Sequence, residues 1–225
     1  MPLTLTLAEE LDQMQVVVLE VEHVQVGPAS ARLRLWADEA AQWAVEHSQS
    51  SEFDKLRTAV RTMLRHGKFK ASGRSKPAHE YLLRCALEEG SLPRINGPVD
   101  VLNTASLLGG LPISLLSLDK CSRDLHIRRG TTGEGFVFNA GGQVLDVEDM
   151  VVTCDASHTP ARPVGSPVKD SMAGKIEPSD TALVAIIYAP ISPLGTAAAE
   201  RTVQLLGANL VEFCDAQLGE TLREP

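Results

Sequence analysis

The amino-acid sequence predicts an α+β fold, a mixed, largely antiparallel sheet with helices packed on it. Three observations carry this. Helical patterns fill most of residues 30–109, while short β-rich segments take over from Leu111. The stretch TALVAIIYA (181–189) is apolar without interruption, as expected of a central strand buried on both faces. Helices before strands fit α+β better than a doubly wound sheet. At 225 residues the chain suits a single domain spanning 1–225.

Residues 14–26, MQVVVLEVEHVQV, are β-branched and partly alternating, which predicts a first strand ended by Gly27 and Pro28. Residues 30–47 are rich in Ala, Leu, Arg and Glu and predict a helix. A second helix starts near Ser51, with Phe53, Leu56, Val60, Met63 and Leu64 at helical spacing and Gly67 as its stop. Arg57, Arg61 and Arg65 share one face of it. KFKASGRSK is a basic loop. Pro77 suits the first turn of a third helix that Gly90 closes, and Pro98 starts a fourth that Gly109 and Gly110 end. LPISLLSLD, DLHIRR, EGFVFN, GQVLD and MVVTCD then predict short strands. ASHTPARPVGSPVKDSMAGK is a long polar loop of the kind that walls functional sites. A last helix is expected from about Gly195 to Leu218.

Hydrophobic residues make up 44% and charged residues 22%, so the chain is globular rather than disordered. The net charge of −8 opposes nucleic-acid binding. Yet Lys55, Arg57, Arg61, Arg65, Lys68, Lys70, Arg74 and Lys76 run without an Asp or Glu between them. That stretch is either a phosphate-binding patch or a solvated helix face. The four cysteines form no CxxC pair and the six histidines have no metal spacing, so neither a metal site nor a cofactor is expected. Cys85 sits in an apolar helical pattern and reads as core. No segment approaches the roughly 20 apolar residues of a membrane span, and MPLTLTLAEELDQ has no targeting character. A cytoplasmic protein is expected.

The GxSxG elbow, the GxxxxGK loop, HExxH and GxGxxG are all absent. Two polar sets remain. Arg94, Asn96, Asp100 and Asn103 lie in LPRINGPVDVLN, where an Asn at a helix start either caps the helix or presents donors to a ligand. Lys169, Asp170, Ser171 and Lys175 lie in the proline-containing loop, where they either orient a water or surround a surface turn.

The stretch PAHEYLLRCALEEGSLPRINGPVDVLNTASLLGGLPISLLSLDK, residues 77–120, resembles a known family. The carrying residues are Glu80, Leu82 and Leu83, then Leu92 to Asn96. Val99, Asp100, Asn103, Leu107, Gly110, Leu111 and Pro112 follow, closed by Leu118, Asp119 and Lys120. The family is the editing domain of the phenylalanyl-tRNA synthetase beta subunit, the B-three/B-four domain. The match is strongest over 76–120 and extends more weakly over 55–190, where Asp170, Ser171, Lys175 and Ala182 fit the order of free-standing members.

In the synthetase the related domain removes tyrosine wrongly attached to phenylalanine tRNA. The resemblance therefore implies hydrolysis of a mischarged aminoacyl-tRNA ester in trans, or a non-catalytic tRNA- or amino-acid-binding module. It implies catalytic roles for Asn96, Asp170, Ser171 and Lys175. Glu80, Arg94, Asp100, Asn103 and Ser114 would bind substrate. Arg57, Arg61, Arg65, Lys68, Lys70, Arg74 and Lys76 would take tRNA phosphates. The implied partners are the 3′ aminoacyl end of tRNA and an amino acid, with no metal. Ser114 stands where synthetase-borne members commonly have His, Lys76-Pro77 replaces Arg-Pro, and RPVGSPV replaces a tryptophan-rich stretch. A re-tuned pocket follows, whose amino acid need not be tyrosine.

Overall fold

A computed structural model describes residues 2–224, apart from the side chain of Arg74. The chain opens with β1 (Thr4–Leu7) and β2 (Met14–Glu22), followed by four helices, α1 (Ala31–His47), α2 (Ser51–Leu64), α3 (Ala78–Glu89) and α4 (Gly97–Gly109). Six strands follow: β3 (Ile113–Ser117), β4 (Asp124–Arg129), β5 (Gly135–Val137), β6 (Val144–Asp146), β7 (Val151–Asp155) and β8 (Arg162–Gly165). The chain closes with β9 (Leu183–Pro190), α5 (Pro193–Cys214) and β10 (Gln217–Glu224).

The strands form two four-stranded sheets, ordered β10-β2-β9-β3 and β1-β4-β7-β8, and a small β5-β6 hairpin. The first sheet is antiparallel throughout, with Val18 opposite Ile186 and Leu115 opposite Ala185. The second is antiparallel except where β1 runs parallel to β4. Every residue of β9 is buried, as its unbroken apolar run predicts. Apolar residues of β2, β9, β3, β4 and β7 make the main core together with α2 and α5. A smaller cluster joins Ala41 and Ala44 of α1, Leu82, Leu83 and Ala86 of α3, Leu92, and Leu107 of α4. It fixes α3 against α1 and α4, and α3 is the helix that borders the site.

The helix ends follow local chemistry. Ser30, Ser50, Asn96 and Ser192 each accept a backbone N–H in the first turn of α1, α2, α4 and α5, a contact worth about 1 kcal/mol. Gly90 and Gly110 take the left-handed conformation at φ 69° and 68° and close α3 and α4. All four cysteines are free and buried, Cys85 within α3.

Several boundaries differ from the sequence-based expectation. The strand expected over 14–26 is β2 and ends at Glu22, because His23 turns at φ 54° and Val24 and Gln25 donate to Thr181 O and Cys214 O. Helix α2 ends at Leu64, three residues before Gly67, because the Arg129 guanidinium takes Leu64 O at 2.9 Å and Met63 O at 3.4 Å. Helix α5 stops at Cys214, with Asp215 left-handed, and the residues expected to continue it enter β10. The long loop contains β8 and a single 3-10 turn, Met172–Gly174. Among the described residues no helix is long and apolar enough to cross a membrane.

Candidate ligand cavity

A cavity of about 1160 Å³ lies between α3 and the β5–β6 hairpin. Helix α3 supplies one wall through Ala78, Glu80, Tyr81, Leu82 and Arg84. The hairpin and its loop face it with Phe138, Asn139, Gln143, Val144 and Leu145. One end is closed by Gly73, Ser75, Lys76, Val168 and Lys169. These two segments meet at the start of α3, where the Ala78 N–H donates to Pro167 O at 2.8 Å. Pro93, Ile95 and Asn103 complete the lining. The rim carries exposed apolar side chains, Tyr81, Ile95 and Val144, the pattern of a surface that expects a ligand.

Charge on the wall is one-sided. Lys76, Arg84 and Lys169 line the cavity, and Glu80 is the one carboxylate among the described lining residues. Glu80 is nearly buried and engaged from behind. Arg61 of α2 donates to it bidentately, Nε to Oε1 at 2.6 Å and Nη2 to Oε2. The hydrogen bond to Glu80 raises the Arg61 pKa above its ordinary value, so the guanidinium stays charged. The Asn103 side chain lines the cavity and makes no hydrogen bond among the described residues.

The Asp-Ser loop is held from inside the protein. The Asp170 Oδ2 accepts the Leu115 N–H at 3.0 Å, and its Oδ1 is buried with no partner. Burial pushes the Asp170 carboxyl up to about 6, against the opposing effect of the Ser114 hydroxyl and the Leu115 N–H. Ser114 Oγ donates to Ser166 O at 3.2 Å and lies 3.1 Å from the Tyr188 hydroxyl, itself 2.7 Å from Thr153 Oγ1. A hydroxyl chain from Thr153 through Tyr188 and Ser114 to Ser166 O satisfies these groups in one direction. Burial raises the Tyr188 pKa, so it remains a neutral donor. Gly165 is required beside them, since a Cβ there would lie 2.8 Å from Asp170 Oδ1 and 3.2 Å from Ser114 Oγ. Ser166 Oγ in turn accepts the Lys169 N–H at 3.1 Å and donates to Lys169 O at 2.8 Å.

The residues singled out in the sequence thus divide. Glu80, Asn103 and Lys76 line the cavity. Asn96 caps α4, its Oδ1 accepting the Val99 N–H at 3.0 Å. Asp100 is buried and accepts the Ile95 N–H at 2.8 Å, while burial raises its pKa. Arg94 points outward to Asp38 of α1. Ser171 caps the 3-10 turn, accepting the Ala173 N–H at 3.1 Å. Lys175 is exposed, and its carbonyl accepts from Lys120 Nζ. In the basic stretch Arg57 pairs with Asp54, Arg61 with Glu80 and Lys68 with Glu148. Lys70 reaches only Gly67 O, and Arg65 and Lys76 make no ion pair among the described residues. The Arg74 side chain lies outside the described residues. Asn96 and Asp170 do not meet across a space, but Pro93 and Ile95 before the one and Val168 and Lys169 before the other border the same cavity.

Sequence reasoning missed Tyr81, Phe138, Asn139 and Gln143. Apolar side chains flanking the Gly141-Gly142 turn were the available signal, since a solvated hairpin has no need of them. Among the described residues no group of three or more His, Cys, Asp or Glu side chains is placed to hold a metal ion. His79 is buried, with neither ring nitrogen partnered; burial first, then Arg61 and Arg57, lower its pKa to about 3 and keep it neutral.

The fold is similar to that of an N-terminal fragment of the phenylalanyl-tRNA synthetase beta subunit from Pyrococcus horikoshii, at a TM-score of 0.52 and 10% identity. That match covers 99% of this chain and 54% of the fragment, so the chain spans about half of its length. No curated protein matches the sequence. The family model for the B3/4 domain matches residues 67–206, from the basic loop through all the cavity walls to the middle of α5. The chain belongs to the B3/4 domain family.

Proposed function

We propose that this chain hydrolyses the ester of a mischarged aminoacyl-tRNA in trans, with the aminoacylated 3′ end seated in the cavity between α3 and the hairpin. The observation that supports this most is the cavity itself. At about 1160 Å³ it lies at or above the upper end of ordinary ligand pockets, enough for an amino acid joined to a nucleoside. Its lining sets Leu82, Pro93, Ile95, Phe138, Val144 and Leu145 beside polar and charged groups, and the Asn103 amide, unbonded among the described residues, is available to a ligand. A hydrogen-bonding group that reads the ligand discriminates more strongly than fit alone.

In this reading water adds to the ester carbonyl, the bond to the ribose oxygen breaks, and that oxygen takes the proton as the amino acid leaves. The ester is already activated, so a positioned water and a donor to the carbonyl suffice. The vicinal ribose hydroxyl assists, and Asn103 orients the carbonyl. Asn96, Asp100, Ser114, Asp170 and Ser171 act one layer back, holding the two loops that present Ile95 and Lys169. Glu80, tied to Arg61, shapes the wall. Arg65, Lys70 and Lys76 remain for tRNA phosphates, whereas Arg57, Arg61 and Lys68 are neutralised by neighbouring carboxylates. We place the activity in the cytoplasm, where four unpaired cysteines stay reduced.

A non-catalytic tRNA- or amino-acid-binding module is the second reading. One observation favours it: no nucleophile paired with a base lies on the described wall, and Asp170 and Ser171 are engaged by backbone N–H groups. Incubation with a panel of mischarged tRNAs separates the two. Release of one amino acid well above the spontaneous rate supports the hydrolase. Binding without release supports the module.

A further inference from the structure

Lys169 differs from the other cations near the cavity. Its backbone is clamped, with both its N–H and its C=O bonded to Ser166 Oγ. The next residue, Asp170, anchors the turn to β3 through Leu115. A side chain on so fixed a turn has its direction set by the fold. It crosses to the hairpin, where its ammonium sits 3.6 Å from the centroid of the Phe138 ring. No carboxylate among the described residues pairs with it. Lys169 is exposed overall, and desolvation beside the hairpin lowers its pKa from the ordinary lysine value. Lys76 belongs to the same end of the cavity, because the Ala78–Pro167 hydrogen bond joins their two segments.

We infer that Lys169 and Lys76 form an anion subsite at the α3-start end of the cavity, and that its occupant is the 5′-phosphate of the terminal adenosine. This rests on the proposed function and adds a polarity to it. The aminoacyl group then lies against Ile95, Pro93 and Asn103. The phosphate lies by the start of α3, where Glu80, the one carboxylate among the described lining residues, is already paired with Arg61. The Phe138 ring is a weaker partner for Lys169 than a phosphate oxygen would be.

The test uses the whole chain and non-hydrolysable 3′-aminoacylamino-3′-deoxyadenosines bearing alanyl, leucyl or tyrosyl groups, each with and without a 5′-phosphate, titrated calorimetrically. The phosphorylated form of the best binder is expected to bind at least about tenfold more tightly, a charge-assisted contact's worth. Lys169→Gln removes most of that gain, while Lys169→Arg keeps it. Equal binding of the two forms overturns the subsite and leaves the cavity reading standing. Inorganic phosphate alone binding as tightly as the nucleotide makes it a general anion site and overturns the assignment. If no compound binds in either form, the aminoacyl-adenosine reading falls and the subsite falls with it.

Discussion

Asp170 offers a prediction whose size follows from the structure. Its carboxyl is raised by burial from 3.8 to about 6, and each tenfold change in proton affinity is worth about 1.4 kcal/mol. The native state therefore holds this proton across a range in which the unfolded chain has released it. The stabilisation is fully present below about pH 3.8 and is lost as the pH rises through about 6, in all about 3 kcal/mol. Asp170→Asn keeps an acceptor for the Leu115 N–H and cannot titrate. Relative to wild type, the variant should gain about 2.4 kcal/mol between pH 4 and pH 7. Urea unfolding of both proteins at several pH values reads the difference directly, and the other titrating groups cancel in it. A difference that stays flat across the range, or that moves against the variant as pH rises, refutes the reasoning.

Three other outcomes follow from the same contacts. Arg61→Met leaves the nearly buried Glu80 carboxylate without its guanidinium and should cost about 2 kcal/mol, discounted because Arg61 is itself part exposed; adding Glu80→Gln should restore much of it in a double-mutant unfolding cycle. Gly165→Ala forces a methyl against Asp170 Oδ1 and Ser114 Oγ and should destabilise by about 1–3 kcal/mol, seen as a lowered Tm. Asn103→Ala leaves stability within about 0.5 kcal/mol, since its amide makes no hydrogen bond among the described residues, yet should lower kcat/KM for deacylation by about tenfold or more.

What was legible in the sequence was local. Asn96, Pro98 and Gly110 mark α4 because the groups they cap lie within one helical turn. The burial of β9 was legible because its apolar run is continuous. Strands β1 and β10 were not, since TLTL and QLGETLRE are strands only through pairing with β4 and β2, the latter about 200 residues away. The site behaved in the same way. The segments before Asn96 and Asp170 were recognisable as its borders. Which way each side chain turns was decided by distant partners: the Leu115 N–H for Asp170, Arg61 for Glu80, Asp38 for Arg94. The hairpin wall carried no motif, only apolar residues around a glycine turn.

A crystal structure with a non-hydrolysable aminoacyl-adenosine amide tests the assignment of the cavity most directly. The ligand should lie between α3 and the hairpin, with its aminoacyl group against Asn103 and Ile95 and its 5′ end toward Lys76 and Lys169. A ligand bound elsewhere on the molecule, or a cavity left filled only by solvent at saturating concentration, contradicts it.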